Sequence, residues 1–197
     1  APEELTKRHE YNAEYYGAIE NMDIAVGRLM DYLKKNKLLE NTIVIFTSDN
    51  GSRWDHSNDP LRGEKCFNYE GGVREPFIVS WPPKIPQGKV SQFNGSFTDV
   101  LPTLASITGI PLPTDRVYDG ESLLPLLTGG TLKRSDDEPF FFYNCENLQA
   151  VRSGDWKLHL PRTQNQLPFW EKNKAFANLK EPVLYNLTSD KAESTDV

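Results

Sequence analysis

The sequence predicts an α/β fold, with helices around a mostly parallel sheet, followed by a small antiparallel α+β subdomain. Three observations carry that expectation. Residues 10–36 place apolar side chains at helical spacing. Thr42–Thr47 is an almost unbroken β-branched and aromatic run. From Phe140 onward, short apolar stretches alternate with turn residues. Helix, short connection and buried strand is the rhythm of α/β domains, whereas short strands spaced by turns make antiparallel meanders. The change of pattern divides the chain into residues 1–134 and 135–197.

In the first helix, Tyr15, Ile19, Met22, Val26, Leu29 and Leu33 step by threes and fours onto one face. Its acidic residues come early and Lys34 and Lys35 late, as the helix dipole favours. Thr42-Ile-Val-Ile-Phe-Thr47 has the composition of a strand covered on both sides. Ser48-Asp-Asn-Gly51 follows directly, at the strand end where open α/β sheets bind ligands. The polar stretch 52–72 is long for a loop, and long loops are usually functional or disordered. Pro76-Phe-Ile-Val-Ser-Trp81 is the next expected strand. Residues 97–108 are an expected helix, with Leu101, Leu104, Ala105 and Ile107 inward and Gly109 as its stop. Ser122 caps a short Leu-rich turn ending at Gly129-Gly130. Strands are expected at Phe140–Tyr143, Leu148–Arg152, Trp156–Leu160 and Val183–Leu187.

Composition narrows the classes of function. The 197 residues are 38% hydrophobic and 25% charged, which is globular rather than disordered. A net charge of −6 without a basic stripe argues against nucleic acid as a partner. No apolar run approaches the ~20 residues of a membrane span. Two cysteines, Cys66 and Cys145, are too few for a disulfide scaffold, and two thiols or one bridge both fit.

Asp49 and Asn50 are the leading site candidates, because a carboxylate beside a carboxamide offers two hard oxygen donors of the kind Ca²⁺ or Mg²⁺ takes. Asp-Asn-Gly is also a common turn, and that reading stays open. Lys65, in Leu61-Arg-Gly-Glu-Lys65, could pair with an anionic ester oxygen and offset charge on a leaving group. Arg62 and Arg74 could grip an anion bidentately, or serve as structural cations. His56, beside Trp54 and Asp55, is a candidate substrate contact or acid. His159 alternates with Trp156 and Leu158 as in a strand and is read as structural, while nothing in the spacing of Glu70 or Asp99 marks them as acid–base groups. The residues by themselves therefore indicate an oxygen-ligand, anion-binding site at one strand end.

Several segments, in order, resemble the formylglycine-dependent sulfatases of the alkaline-phosphatase superfamily. They are Asn41-Thr-Ile-Val-Ile-Phe-Thr-Ser-Asp-Asn-Gly51, Leu61-Arg-Gly-Glu-Lys65, Tyr69-Glu-Gly-Gly-Val-Arg-Glu-Pro76, Asp99-Val-Leu-Pro-Thr-Leu104, Asp119-Gly-Glu-Ser-Leu-Leu124, Arg152-Ser-Gly-Asp-Trp-Lys-Leu158 and Leu184-Tyr-Asn-Leu187 with Asp190 and Glu193. The resemblance implies that residues 1–134 are the C-terminal part of the α/β catalytic domain and that 135–197 form the C-terminal antiparallel subdomain. It implies that Asp49 and Asn50 bind Ca²⁺ or Mg²⁺ and that Lys65 binds a sulfate or leaving-group oxygen. It carries no role over to Arg62 or His56, which stay substrate-pocket candidates on chemistry alone. The family's paired-Asp segment, its Cys-x-Pro-Ser-Arg motif (whose Cys becomes the formylglycine nucleophile), and its Lys and His contacts have no counterpart in residues 1–197. The expectation is an incomplete alkaline-phosphatase-like sheet and a chain that does not turn over by itself. The implied reaction is hydrolysis of a sulfate ester, on a carbohydrate or small molecule, in a periplasmic, secreted or lysosomal setting. The competing readings are a phosphatase or phosphonate hydrolase of the same superfamily, and a non-catalytic binding fragment.

Overall fold

The computed structural model describes residues 2–53, 58–135, 137–163 and 178–197, with the side chains of 2–12 outside that description. The architecture is α/β with a C-terminal antiparallel sheet. Two compact units are present, one of Ala1–Val44 with Val79–Gln87, the other of Ile45–Ile78 with Gly88–Val197.

In the first unit, helix α1 runs Pro2–Lys35. Its end is a Schellman motif: Leu38 N–H donates to the Leu33 carbonyl and Lys37 N–H to Lys34. Lys37 sits at φ 56, the left-handed position usually given to glycine. Of the expected apolar stripe only Leu33 is buried, whereas Ile19, Met22 and Leu29 are exposed. A 3-10 turn, Leu39–Asn41, leads on from α1. Trp81 Nε1 donates to the Glu40 carbonyl at 3.2 Å.

Strands β1 (Val44–Thr47) and β2 (Phe77–Ser80) are hydrogen-bonded neighbours in a two-stranded sheet. Every residue of β1 is half-buried, and Phe77 and Ile78 of β2 are exposed. The one-turn helix α2 covers Glu70–Val73. Helix α3 is Val100–Thr108, entered through a 3-10 turn at Phe97–Asp99 and closed by Gly109 at φ 70. Its inner face differs from the expected one: Pro102 and Thr103 are buried and Leu101 is 55% exposed. The cause is a polar anchor. Thr103 Oγ1 donates to the Asp99 carbonyl and accepts from Leu123 N–H at 2.8 Å, which turns that side of α3 inward. Asp99, fully buried, takes a bidentate grip from Arg134 at 2.7 and 2.9 Å and accepts from the amides of Ser96 and Glu121. Ser122 Oγ accepts from Leu124 N–H at the start of α4, Leu124–Leu127.

The last four strands are β3 (Phe140–Asn144), β4 (Asn147–Ser153), β5 (Trp156–His159) and β6 (Val183–Asn186). They form one sheet in sequence order, antiparallel throughout, which is the expected meander. The apolar core of this unit joins Phe67 and Tyr69, from the long polar segment, to Tyr185 and Leu187 at β6. That packing seats the 61–73 segment on the C-terminal sheet.

Candidate active site

The site begins where β1 ends. Thr47 and Ser48 turn the chain with hydroxyl–carbonyl bonds, Ser48 Oγ donating to the Asn50 carbonyl at 3.1 Å. Asp49 is exposed and Asn50 half-buried. Gly51 is buried, and its N–H donates to the Gly72 carbonyl at 3.0 Å. A Cβ on Gly51 would lie 1.8 Å from the Gly71 carbonyl oxygen, and one on Gly72 would lie 2.0 Å from that of Phe67. Main chain therefore rests on main chain here, an approach only glycine permits.

A second clamp sets Lys65. The Asn58 carboxamide accepts from Ser52 N–H and donates to the carbonyls of Ser52 and Gly63. Lys65 N–H donates to the Ser52 carbonyl at 3.0 Å. The outcome brings together two groups 16 positions apart, with Lys65 Nζ 3.7 Å from Asp49 Oδ2. Both side chains are largely solvated, at 49% and 80% exposure, so as a stability element the pair contributes at most about 1 kcal/mol. Its interest is positional: an ammonium and a carboxylate share one accessible strand end. Glu75 adds a further carboxyl that feels Asp49, held above its ordinary range first by partial burial and then by the Asp49 charge.

Oxygen donors suit a hard cation. Asp49 offers a solvent-facing carboxylate, and no side-chain hydrogen bond to the Asn50 carboxamide occurs among the described residues. The donor chemistry fits Ca²⁺ or Mg²⁺. The number of donors is small: among the described residues no group of three or more His, Cys, Asp or Glu stands together. Neither Cys66 nor Cys145 lies in a Cys-x-Pro-Ser-Arg context, so the residues present do not fit a formylglycine.

Arg62 and Arg74 are engaged by other partners. Arg62 donates to the Glu193 carbonyl at 2.8 Å and to Tyr185 Oη at 3.3 Å, with its guanidinium 4.4 Å above the Tyr69 ring. Arg74 pairs with Glu70 at 3.7 Å. His56 lies outside the described residues, as do Trp54, Asp55 and Trp170.

Beneath the loop is a feature that sequence reasoning missed. Lys157 and His159 of β5, Glu70 of α2 and Glu193 form a buried ionic cluster, each at most 3% exposed. Lys157 Nζ is 2.9 Å from Glu70 Oε1 and 3.3 Å from Glu193 Oε1. Glu193 Oε2 accepts from Glu70 N–H at 2.6 Å and Oε1 bonds His159 Nε2 at 2.7 Å. On its other side His159 Nδ1 meets Arg162 at 3.4 Å, and a guanidinium can only donate. The imidazole therefore carries its hydrogen on Nε2. Burial holds the His159 pKa below its ordinary value, with the Lys157 and Arg162 charges adding to the effect and Glu193 opposing it. Burial by itself would raise the Glu193 carboxyl, but the His159 hydrogen bond and the Lys157 charge bring it below the usual range. Tyr69 stacks on the His159 ring at 4.3 Å. The only signal in the sequence was Lys157 and His159 at alternate positions of an otherwise apolar strand.

Comparison with known proteins decides the family. The sulfatase model matches residues 2–110, and that for the C-terminal region of aryl-sulfatase matches 135–197. The chain belongs to the sulfatase family. Dog N-acetylgalactosamine-6-sulfatase is 40% identical over 164 residues, covering 80% of this chain and 30% of the relative. Mouse steryl-sulfatase is 42% identical over 157 residues, covering 73% of this chain and 25% of the relative. The sulfatase PsFucS1 from Pseudoalteromonas sp. superposes with a TM-score of 0.69 at 29% identity, over 87% of this chain and 36% of that one. The chain thus spans less than a third of the length of these curated sulfatases. No helix among the described residues is long and apolar enough to cross a membrane.

Proposed function

We propose that this chain supplies part of the active site of a sulfuric ester hydrolase, with Asp49 and Asn50 as ligands of Ca²⁺ or Mg²⁺ and Lys65 as the cation on a sulfate or leaving-group oxygen. The observation that carries the reading is the 3.7 Å approach of Lys65 to Asp49 at the β1 end. When bound, the metal supplies Lewis-acid polarisation of a sulfate oxygen. Lys65 offsets the negative charge that grows on the departing oxygen, and the glycine contact together with the Asn58 clamp holds the main chain of its loop against the Asp49 turn. Arg62 acts on the loop, from the Glu193 side, rather than on substrate. The remaining metal ligands and the nucleophile are contributed by residues outside these 197, so the 197-residue chain by itself does not turn over. Residues 1–134 then belong to the catalytic domain and 135–197 to the subdomain that supports it.

A sulfated carbohydrate is the proposed substrate class. One related structure, 26% identical with a TM-score of 0.63, holds its substrate D-glucosamine-2-N,6-O-disulfate, and another, 29% identical with a TM-score of 0.68, holds a neocarrahexaose. The setting is periplasmic, secreted or lysosomal.

The test compares the full-length protein with its Lys65→Ala variant on an aryl sulfate, the matching aryl phosphate and sulfated sugars. Sulfate ester hydrolysis is expected, with kcat lowered roughly 10²–10³-fold in the variant. Preference for the phosphate would move the protein to the phosphatase reading. Unchanged turnover in Lys65→Ala would remove Lys65 from the chemistry, and turnover by the 197-residue chain above a metal-free control would place the nucleophile within it.

A further inference from the structure

We propose that Cys66 and Cys145 form a reversible intramolecular disulfide that fastens the Lys65 loop to the β3–β4 hairpin. Both are thiols in this structure, Cys66 half-buried and Cys145 exposed. They line the same cleft, of about 270 Å³, whose walls include Phe67, Asn68, Tyr143 and Asn144. The two sides of that cleft already touch beside the thiols: Asn144 Nδ2 donates to the Cys66 carbonyl at 3.2 Å. Cys145 occupies the two-residue turn closed by the Asn144–Asn147 pair, at the tip of the hairpin.

Cys66 has φ 79° and Cys145 φ 52°. A two-residue hairpin turn calls for the second, whereas the first is uncommon for a residue with a side chain. A cysteine kept only as a small apolar core residue would not be exposed in a turn.

The chemistry is thiol–disulfide exchange with a low-molecular-weight disulfide such as oxidised glutathione. The exposed Cys145 thiolate attacks one glutathione sulfur, forming a mixed disulfide and releasing one glutathione thiolate. The Cys66 thiolate then attacks the Cys145 sulfur and releases the second. Two electrons pass from the protein sulfurs to glutathione, and the two cysteine protons end on the two released thiols. A dithiol reverses both steps. Since Cys66 directly follows Lys65, the bridge restrains the main chain beside the ammonium that faces Asp49.

The experiment uses the native full-length protein, treated with oxidised glutathione, alkylated, digested with trypsin without reduction and weighed by mass spectrometry. The expected product is peptide 66–74 joined to peptide 135–152, lighter than their sum by two hydrogens. It should vanish on adding dithiothreitol and be absent from Cys145→Ser, whose position is exposed. Iodoacetamide labelling of both cysteines should be lost together. Persistent glutathione on Cys145 with Cys66 still alkylated, a Cys145–Cys145 dimer, or full alkylation of both residues would each overturn the proposal.

Discussion

Replacing Glu193 with Gln should unseat the C-terminal sheet from the 61–73 segment. The substitution keeps shape and removes charge, so its effect can be worked from the contacts. The two carboxylate oxygens face donors only: Glu70 N–H on one side, His159 Nε2–H and the Lys157 ammonium on the other. A carboxamide has one oxygen and one NH₂, so whichever way it is turned, an NH₂ confronts a buried donor. One buried donor left without an acceptor costs about 1–3 kcal/mol, and breaking a buried ion pair from one side costs about 3–5 kcal/mol. These overlap here, and the expected loss is about 3–5 kcal/mol. With an m-value of about 2 kcal/mol/M for a domain of this size, the urea midpoint falls by roughly 2 M. Hydrogen exchange should localise the loss to the Glu70–Val73 turn and to β5 and β6. A midpoint shift below about 0.5 M, equivalent to ~1 kcal/mol, would show that Glu193 is not the fastening group, and the argument from donor satisfaction would fail with it.

Gly51→Ala should lose about 3 kcal/mol or more, because its Cβ would stand 1.8 Å from a carbonyl oxygen and no flexible side chain can yield; a thermal melt reads this. Arg134→Ala leaves the fully buried Asp99 carboxylate without its cation and should cost about 3–5 kcal/mol in the same measurement. Stability should also fall in acid, in two steps. A neutral buried His159 with a lowered pKa means that the unfolded chain takes up a proton first, so stability declines as pH drops below the ordinary value of 6.5. Glu193, also lowered, adds a further decline as pH falls below its ordinary 4.5. Urea midpoints between pH 8 and pH 4 check both, and His159→Gln should flatten the upper step.

Much of this arrangement was legible in the sequence. The four-strand meander could be read because each strand is short, apolar and punctuated. Asp49 and Asn50 stood out as candidates because a strand end followed by an oxygen-rich turn is where α/β sheets present ligands, and Lys65 because an ammonium there could meet an anionic oxygen; of these the structure brings Lys65 to 3.7 Å from Asp49. The buried ionic cluster was not legible, because its bonds join residues 87 and 123 positions apart. Hydropathy also points the wrong way on β5. It would bury Trp156, yet Trp156 is 46% exposed while Lys157 and His159 are fully enclosed. A strand whose inner face is ionic looks inverted until its partners are in place. Helix α3 misleads for the same reason, since a threonine hydroxyl and not leucine sets its inner side.

The contact among Gly51, Gly71 and Gly72 has an evolutionary consequence. The Gly51–Gly72 hydrogen bond and the packing of these glycines join main chain to main chain, so this contact, unlike the Asn58 clamp beside it, is independent of the side chains these segments project. On the proposed function, mutation can then reshape what surrounds the strand end, and so alter the choice of ester, while this part of the scaffold is kept. A scaffold arranged in this way separates selectivity from reactivity, and each can drift while the other is kept.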